Sequence, residues 1–316
     1  VVNADDLAAW MDVCVARGAH KWYERDGKSW DSTIRPEHLA MKYAFYDKVH
    51  KPLAGFAKSC ENVKVFCKTQ QGVFKYTVRA TVKSGHNDTS LGNGIINACF
   101  AYLTCIKFGL KASIIVTGDD LLIAVYGDFD LEALKKFEWT LGIEPVAAKF
   151  SSPADVSFVS GVWVSDGCKT AFVPKPGRLI SRLWWTVNPP SKKNVSAYTR
   201  GVARSIKAAC SSLPVVRVFL SKFDSDGSAL ATKNGMIYQE SDNQLGPEIW
   251  EHFALRYGTS VMELKECEAW LESLPSRPLF LVHPVLDRLM EVDLADAPDR
   301  SECLIEFPGR HNTILS

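Results

Sequence analysis

The sequence predicts an α+β fold in which helices cover one face of an antiparallel sheet. Three observations predict it. Runs of strand character come in pairs around tight-turn signals, as in IIVTGDDLLIAVY and VSFVSGVWVSDGCKTAFV. Segments with helical spacing separate those pairs. A long, broadly apolar segment, residues 89–110, suits a helix buried against a sheet.

In chain order, Leu7, Trp10, Met11, Cys14 and Val15 recur at helical spacing over residues 3–17, and Gly18 supplies a stop. KWYER reads as a strand. RPEHLAMKYAFYDKVH places a proline in the first turn of an amphipathic helix. Residues 62–82 alternate like a hairpin around Gln71-Gly72. After the TGDD hairpin, DFDLEALKKFEWTLG has an Asp start and a Gly stop. The next hairpin turns at Asp166-Gly167, and EIWEHFALRYG and VMELKECEAWLESLP read as helices with their acids on a solvated face.

The chain has 316 residues, 47% of them hydrophobic, which is ample for one large or two modest domains. No stretch approaches the roughly 18 uninterrupted apolar residues of a membrane span, so no transmembrane segment is expected. The N-terminus lacks the basic-then-apolar layout of a signal peptide, which points to cytosolic synthesis. Nine cysteines at irregular spacing, with no CxxC pair, fit neither a disulfide framework nor a zinc site and read as reduced core residues.

The net charge of +1 is unevenly divided. Between Gly167 and Phe223 there are eleven Lys or Arg and no Asp or Glu; from Asp224 onward there are seventeen acids against seven Lys or Arg. The basic block includes Lys175, Arg178, Arg182, Lys192, Lys193, Arg200 and Arg204, with Trp184, Trp185 and Tyr198 interspersed, a composition suited to a polyanion.

The chemistry centres on Asp119 and Asp120, which follow Gly118 at the tip of a predicted hairpin. Adjacent like charges repel, and a hairpin does not require them, so a hard divalent cation is a natural partner. A second source of carboxylates is ERDGKSWDSTI, where Asp26 ends a strand and Asp31 sits in the following turn. In KSGHNDTSLGNG, Ser84, Gly85 and Thr89 precede or open a helix whose N-terminal amides suit phosphate or ribose, and Asn93 lies one turn inside it.

In order and spacing these elements resemble the palm motifs of viral RNA-dependent RNA polymerases of positive-strand RNA viruses, most closely the nodavirus-like and tombusvirus-like groups. DGKSWD is similar to motif A, SGHNDTSLGN to motif B, TGDD to motif C, LEALKKFEWTLGIEPVAAK, as a helix and turn, to motif D, and VSFVSGVW with PKPGRLISRLWW to motif E and the start of a thumb. The resemblance implies a right-hand palm over residues 1–165 with part of the fingers inserted, then the end of motif E and a mostly helical thumb over 166–316. It implies that Asp26 and Asp119, assisted by Asp120, bind two Mg²⁺ (or Mn²⁺) ions. Asp31 and Asn93 would read the ribose 2′-hydroxyl of an NTP, and Ser84, Gly85 and Thr89 would place template base and nucleotide. Lys149 would protonate the pyrophosphate leaving group. Template and product RNA would lie on the basic block, in the host cytoplasm at membrane-associated replication complexes.

Two departures from the family pattern stand out. The strand before motif A is charged, KWYER, where an apolar strand is usual. Only about two dozen residues precede Asp26, which leads to the expectation of a fragment, or of fingers supplied by another segment or polypeptide. The competing classes are a non-catalytic RNA-binding subunit, which the intact acids disfavour, and a reverse transcriptase, which Asp31 and Asn93 disfavour.

Overall fold

The computed structural model describes residues 3–83, 86–183, 190–224, 227, 229, 245–276 and 281–295. It is a mixed helix and antiparallel-sheet protein with two compact units, residues 1–173 with 245–248, and residues 174–244 with 249–316.

The first unit opens with α1 (Ala4–Ala16), capped by Asn3, whose side chain accepts from the Asp6 amide. Strand β1 (Lys21–Gly27) leads into a single helical turn, α2 (Trp30–Thr33), and then α3 (Pro36–Val49) and α4 (Lys51–Ser59). A two-stranded ribbon, β2 (Asn62–Thr69) and β3 (Gly72–Arg79), precedes the long helix α5 (Thr89–Phe108). The hairpin β4 (Ala112–Thr117) and β5 (Asp120–Val125) follows, then α6 (Leu131–Thr140) and β6 (Pro145–Phe150). A small sheet of β7 (Ser157–Phe158), β8 (Gly161–Ser165) and β9 (Thr170–Pro174) closes this part of the chain.

The main sheet has the order β4-β5-β1-β6, and its pairings are antiparallel. The sequence reading placed helices on one face only; the structure covers both. Leu121, Ile123 and Val125 face a core with Tyr23 and with Ala101, Cys105 and Leu134 from α5 and α6. Leu122 and Ala124 face a second core with Trp22, with Leu7, Met11 and Cys14 of α1, and with Phe158 and Trp163 of the small sheet. A strand buried on both sides reads as a continuous apolar run, which is why LLIAV does not alternate. The sequence reading ended motif D in a turn. PVAAKF instead forms β6 and flanks β1 on the side away from β5.

Helix α5 is long and apolar enough to cross a membrane by length and composition. Here its inner face packs in the unit's cores, through Ile96 and Phe100 on one side and Ala101 and Cys105 on the other.

The second unit consists of α7 (Pro176–Arg182), α8 (Val195–Lys207), α9 (Val216–Phe223), α10 (Ile249–Tyr257), α11 (Val261–Ser273) and α12 (Pro284–Leu294). Helices α7 and α12 touch at Gly177, where an added Cβ would lie 1.9 Å from the Leu289 carbonyl oxygen. The Gly177 amide donates to Asp293 Oδ2 at 2.8 Å, and the Tyr257 hydroxyl donates to the same oxygen at 3.0 Å.

Candidate functional site

Thr117 pairs with Asp120, leaving Gly118 and Asp119 as a two-residue turn. Gly118 has φ +62°, the conformation that a primed hairpin turn needs at its first central position and that glycine adopts without steric cost. Asp119 is exposed at the tip and Asp120 half-buried beside it. Because β1 lies next to β5, with Arg25 opposite Leu121, the register continued by one residue brings Asp26 level with Asp120. Asp26 opens onto solvent at the end of β1. Its carboxyl pKa is nevertheless raised, first by desolvation against the sheet and next by the negative charge of Asp119. Two carboxylates from separate elements therefore share one electrostatic locus.

A buried polar network fixes this locus from behind, and the sequence reading did not find it. Asn97, fully buried in α5, donates through Nδ2 to the carbonyl oxygens of Gly118, Asp119 and Asp120 at 3.1, 2.9 and 3.3 Å. Its Oδ1 accepts from Arg25 Nη2 at 2.6 Å. Arg25 Nε lies 3.2 Å from Glu138 Oε2, both side chains being fully buried, and the guanidinium also stands 5.2 Å from the Trp30 ring centroid. Glu138 accepts in turn from the Tyr23 hydroxyl at 2.8 Å. Desolvation outweighs the attraction of Arg25, so the Glu138 pKa is raised; burial and the neighbouring Glu138 push Tyr23 up as well.

The charged strand KWYER is thereby explained. Trp22 and Tyr23 enter opposite cores, Glu24 accepts from the amide and hydroxyl of Ser157 at 2.8 and 2.7 Å, and Arg25 turns to Glu138 and Asn97. One signal for the network was present in the sequence. Asn93 and Asn97 are four residues apart in an otherwise apolar helix, so both fall on one face.

The structure joins the two residues read as ribose ligands: Asn93 Nδ2 donates to Asp31 Oδ1 at 2.8 Å. A carboxylate can only accept, so this contact fixes the amide's orientation. Asn93 Oδ1 is buried with no hydrogen-bond partner among the described residues. The Val82 amide donates to the Asp31 carbonyl at 3.1 Å, which ties the segment before α5 to the segment after β1. The Thr89 hydroxyl donates to the Lys83 carbonyl at 2.7 Å. Asp88, ahead of α5, is held by Lys42 Nζ at 2.5 Å and by the Tyr46 hydroxyl. Ser84 and Gly85 lie outside the described residues.

Lys149 is not brought to the carboxylates. It pairs with Tyr23, three ladder positions from the Asp26–Val146 pair, or about 10 Å along the strands. Its ammonium contacts Asp128 Oδ1 at 2.6 Å and the Phe129 carbonyl at 2.5 Å.

Among its described residues the basic block is unevenly exposed. Lys175 and Arg200 are buried, Arg178 and Arg182 are half-buried, and Lys193 is exposed; the Lys192 side chain lies outside the described residues, as do Trp184 and Trp185. Arg204 Nε and Lys207 Nζ bind Asp224 at 2.6 and 3.0 Å, and Arg217 binds Glu268 through two nitrogens at 2.9 and 2.6 Å. The expectation of a purely solvated acidic tail is corrected accordingly. Glu268 and Asp293 are buried, and Glu268 serves as a counter-charge to the basic block.

Among the described residues, no group of three or more His, Cys, Asp or Glu side chains converges on a point that could hold a metal ion. The donors that Asp26 and Asp119 offer are hard carboxylate oxygens whose mutual repulsion a divalent cation would relieve, so the residue types fit one.

Comparison with known families decides the assignment. Residues 25–259 match the model of a family described as viral RNA-dependent RNA polymerase, a match that starts one residue before Asp26 and spans most of the chain. The chain belongs to this polymerase family. Membership gives it RNA-directed RNA synthesis as its activity and RNA and NTPs as its substrates. No curated protein matches the chain.

Proposed function

We propose that the first unit is the palm of this polymerase, the β2–β3 ribbon a part of its fingers and the second unit its thumb, and that Asp26 and Asp119 are the centre of nucleotidyl transfer. The observation that carries the reading is the electrostatic pairing of Asp26 with Asp119 across β1 and the β4–β5 turn. Asp26 and Asp119, with Asp120 assisting, would hold two divalent ions, Mg²⁺ or Mn²⁺. Such ions, when bound, lower the pKa of an attacking hydroxyl and neutralise charge on a triphosphate.

The chain's own residues supply positioning, which is most of what phosphoryl transfer requires of a protein. Asn97 holds the backbone under Asp119 and Asp120, and Arg25 locks Asn97 in place. Of the Asp31–Asn93 pair, the half-buried Asp31 carboxylate can accept from a ribose 2′-hydroxyl, and the buried Asn93 amide holds that carboxylate in place. The leaving-group role expected of Lys149 would require its ammonium to release Asp128.

The test is template-directed extension of an RNA primer with NTPs and with dNTPs. Wild type should incorporate NTPs and discriminate against dNTPs, and Asp31→Ala should lose much of that discrimination while still incorporating. Equal use of both nucleotides by wild type would contradict the ribose assignment and favour another palm polymerase.

A further inference from the structure

The β2–β3 ribbon has two chemically different faces. From the register, Lys64, Phe66 and Lys68 of β2 share a face with Val73, Lys75, Thr77 and Arg79 of β3. Lys75 Nζ stands 5.9 Å from the Phe66 ring centroid, consistent with that face. The opposite face carries Phe74 and Tyr76. Residues 62–79 contain three Lys and one Arg and no Asp or Glu. Arg79 faces Glu61 at 4.0 Å, whereas Lys64, Lys68 and Lys75 make no ion pair among the described residues. Phe66 is 63% exposed. Beyond its cross-strand contact with Lys75, an exposed aromatic ring beside lysines that make no ion pair is the combination that binds single-stranded nucleic acid, with bases stacked on the ring and phosphates on the amines.

The ribbon is also tied to the site. At its base the Ala80 amide donates to the Glu61 carbonyl at 3.3 Å, and two residues on the Val82 amide donates to the carbonyl of Asp31. Lys64 and Lys68 are about 13 Å apart along β2, with Phe66 between them and Lys75 opposite it.

We propose that the Lys64–Phe66–Lys68–Lys75 face is a contact surface for single-stranded RNA, through which the ribbon engages the template beside the carboxylate site. The template identity rests on the polymerase reading; the binding surface does not depend on catalysis.

The experiment is fluorescence anisotropy of a single-stranded oligouridylate with the full chain, titrated over 50–200 mM salt without divalent ions or NTPs. The variants are Lys64→Gln/Lys68→Gln/Lys75→Gln, Phe66→Ala, and Phe74→Ser/Tyr76→Ser on the opposite face. The triple variant should reduce the slope of log affinity against log salt by about 2, and Phe66→Ala should weaken binding roughly tenfold without changing the slope. Phe74→Ser/Tyr76→Ser should bind as wild type does. Unchanged slope and affinity in the triple variant would overturn the proposal, as would loss of binding confined to the Phe74/Tyr76 variant, which would make the apolar face a docking site. Asp119→Asn separates this from the catalytic reading, since it should abolish synthesis and leave oligouridylate binding intact.

Discussion

The Asn97 side-chain amide donates to the main-chain carbonyl of Asp119 at 2.9 Å, and the same nitrogen reaches the carbonyls on either side. A single buried side chain thus fixes the height and tilt of the turn that presents the acidic pair. Asn97→Ala removes that tie and leaves buried carbonyls and Arg25 unsatisfied, at a cost of about 1–3 kcal/mol. Asn97 touches no reacting group, so the expected kinetic signature is a fall in kcat of roughly a hundredfold with little change in the KM for NTP. Single-turnover incorporation and denaturant unfolding of the same variant would check both parts; a larger effect on KM than on kcat would contradict the positioning role.

Glu138 lies one step further back. Glu138→Ala deprives Arg25 of its counter-charge and Tyr23 of its acceptor, and should cost about 3–5 kcal/mol in urea unfolding. Glu138→Gln should be milder, because an amide oxygen of the same reach still accepts from Tyr23 and Arg25 and leaves no cavity. With the Glu138 pKa raised, the sign of its pH dependence follows from linkage. Wild-type stability relative to Glu138→Gln is greatest below the ordinary carboxylate range and falls as pH rises through the raised value. Unfolding curves at several pH values would show it, and a difference that grows with pH would contradict it.

Asp26 and Asp119 repel, so metal-free Asp119→Asn should be slightly more stable than wild type at neutral pH. The difference should amount to roughly 1–2 °C for such exposed groups, and it should vanish below the ordinary carboxylate range, where Asp26 is protonated in both. Added Mg²⁺ should raise the wild-type melting temperature and leave the variant unmoved. Thermal melts with and without Mg²⁺ test this, and equal stabilisation of both proteins would contradict a shared cation site.

Gly177→Ala forces a methyl group into the Leu289 carbonyl and should unfold the second unit selectively, at a cost above about 3 kcal/mol. Hydrogen exchange would report it as lost protection in α7 and α12 with the main sheet unaffected.

Much of the fold was legible in the sequence because its signals are local. The TGDD hairpin, the Asp130 cap of α6 and the 89–108 helix each announce themselves through turn chemistry, capping or periodicity. Motif resemblance grouped Asp31 with Asn93 as ribose ligands, and the structure adds a hydrogen bond between the two that no local signal announces. Strand β6 was missed because PVAAKF carries no alternation that marks its partner. The Arg25–Glu138 pair was missed because 113 positions separate two charges that only the closed sheet brings together. The basic block looked uniform for a related reason. Composition counts cations in sequence and cannot show that Asp224 and Glu268 return to pair with Arg204, Lys207 and Arg217.

Asp26 and Asp119 are proposed as a divalent-dependent nucleotidyl-transfer centre. Its most direct test is RNA primer extension by wild type, Asp26→Asn and Asp119→Asn across a Mg²⁺ titration, at low salt so that phosphate contacts are not screened. Metal-dependent incorporation by wild type, lost by at least about a thousandfold in both variants, is the predicted result. Wild-type incorporation that survives either substitution would contradict it.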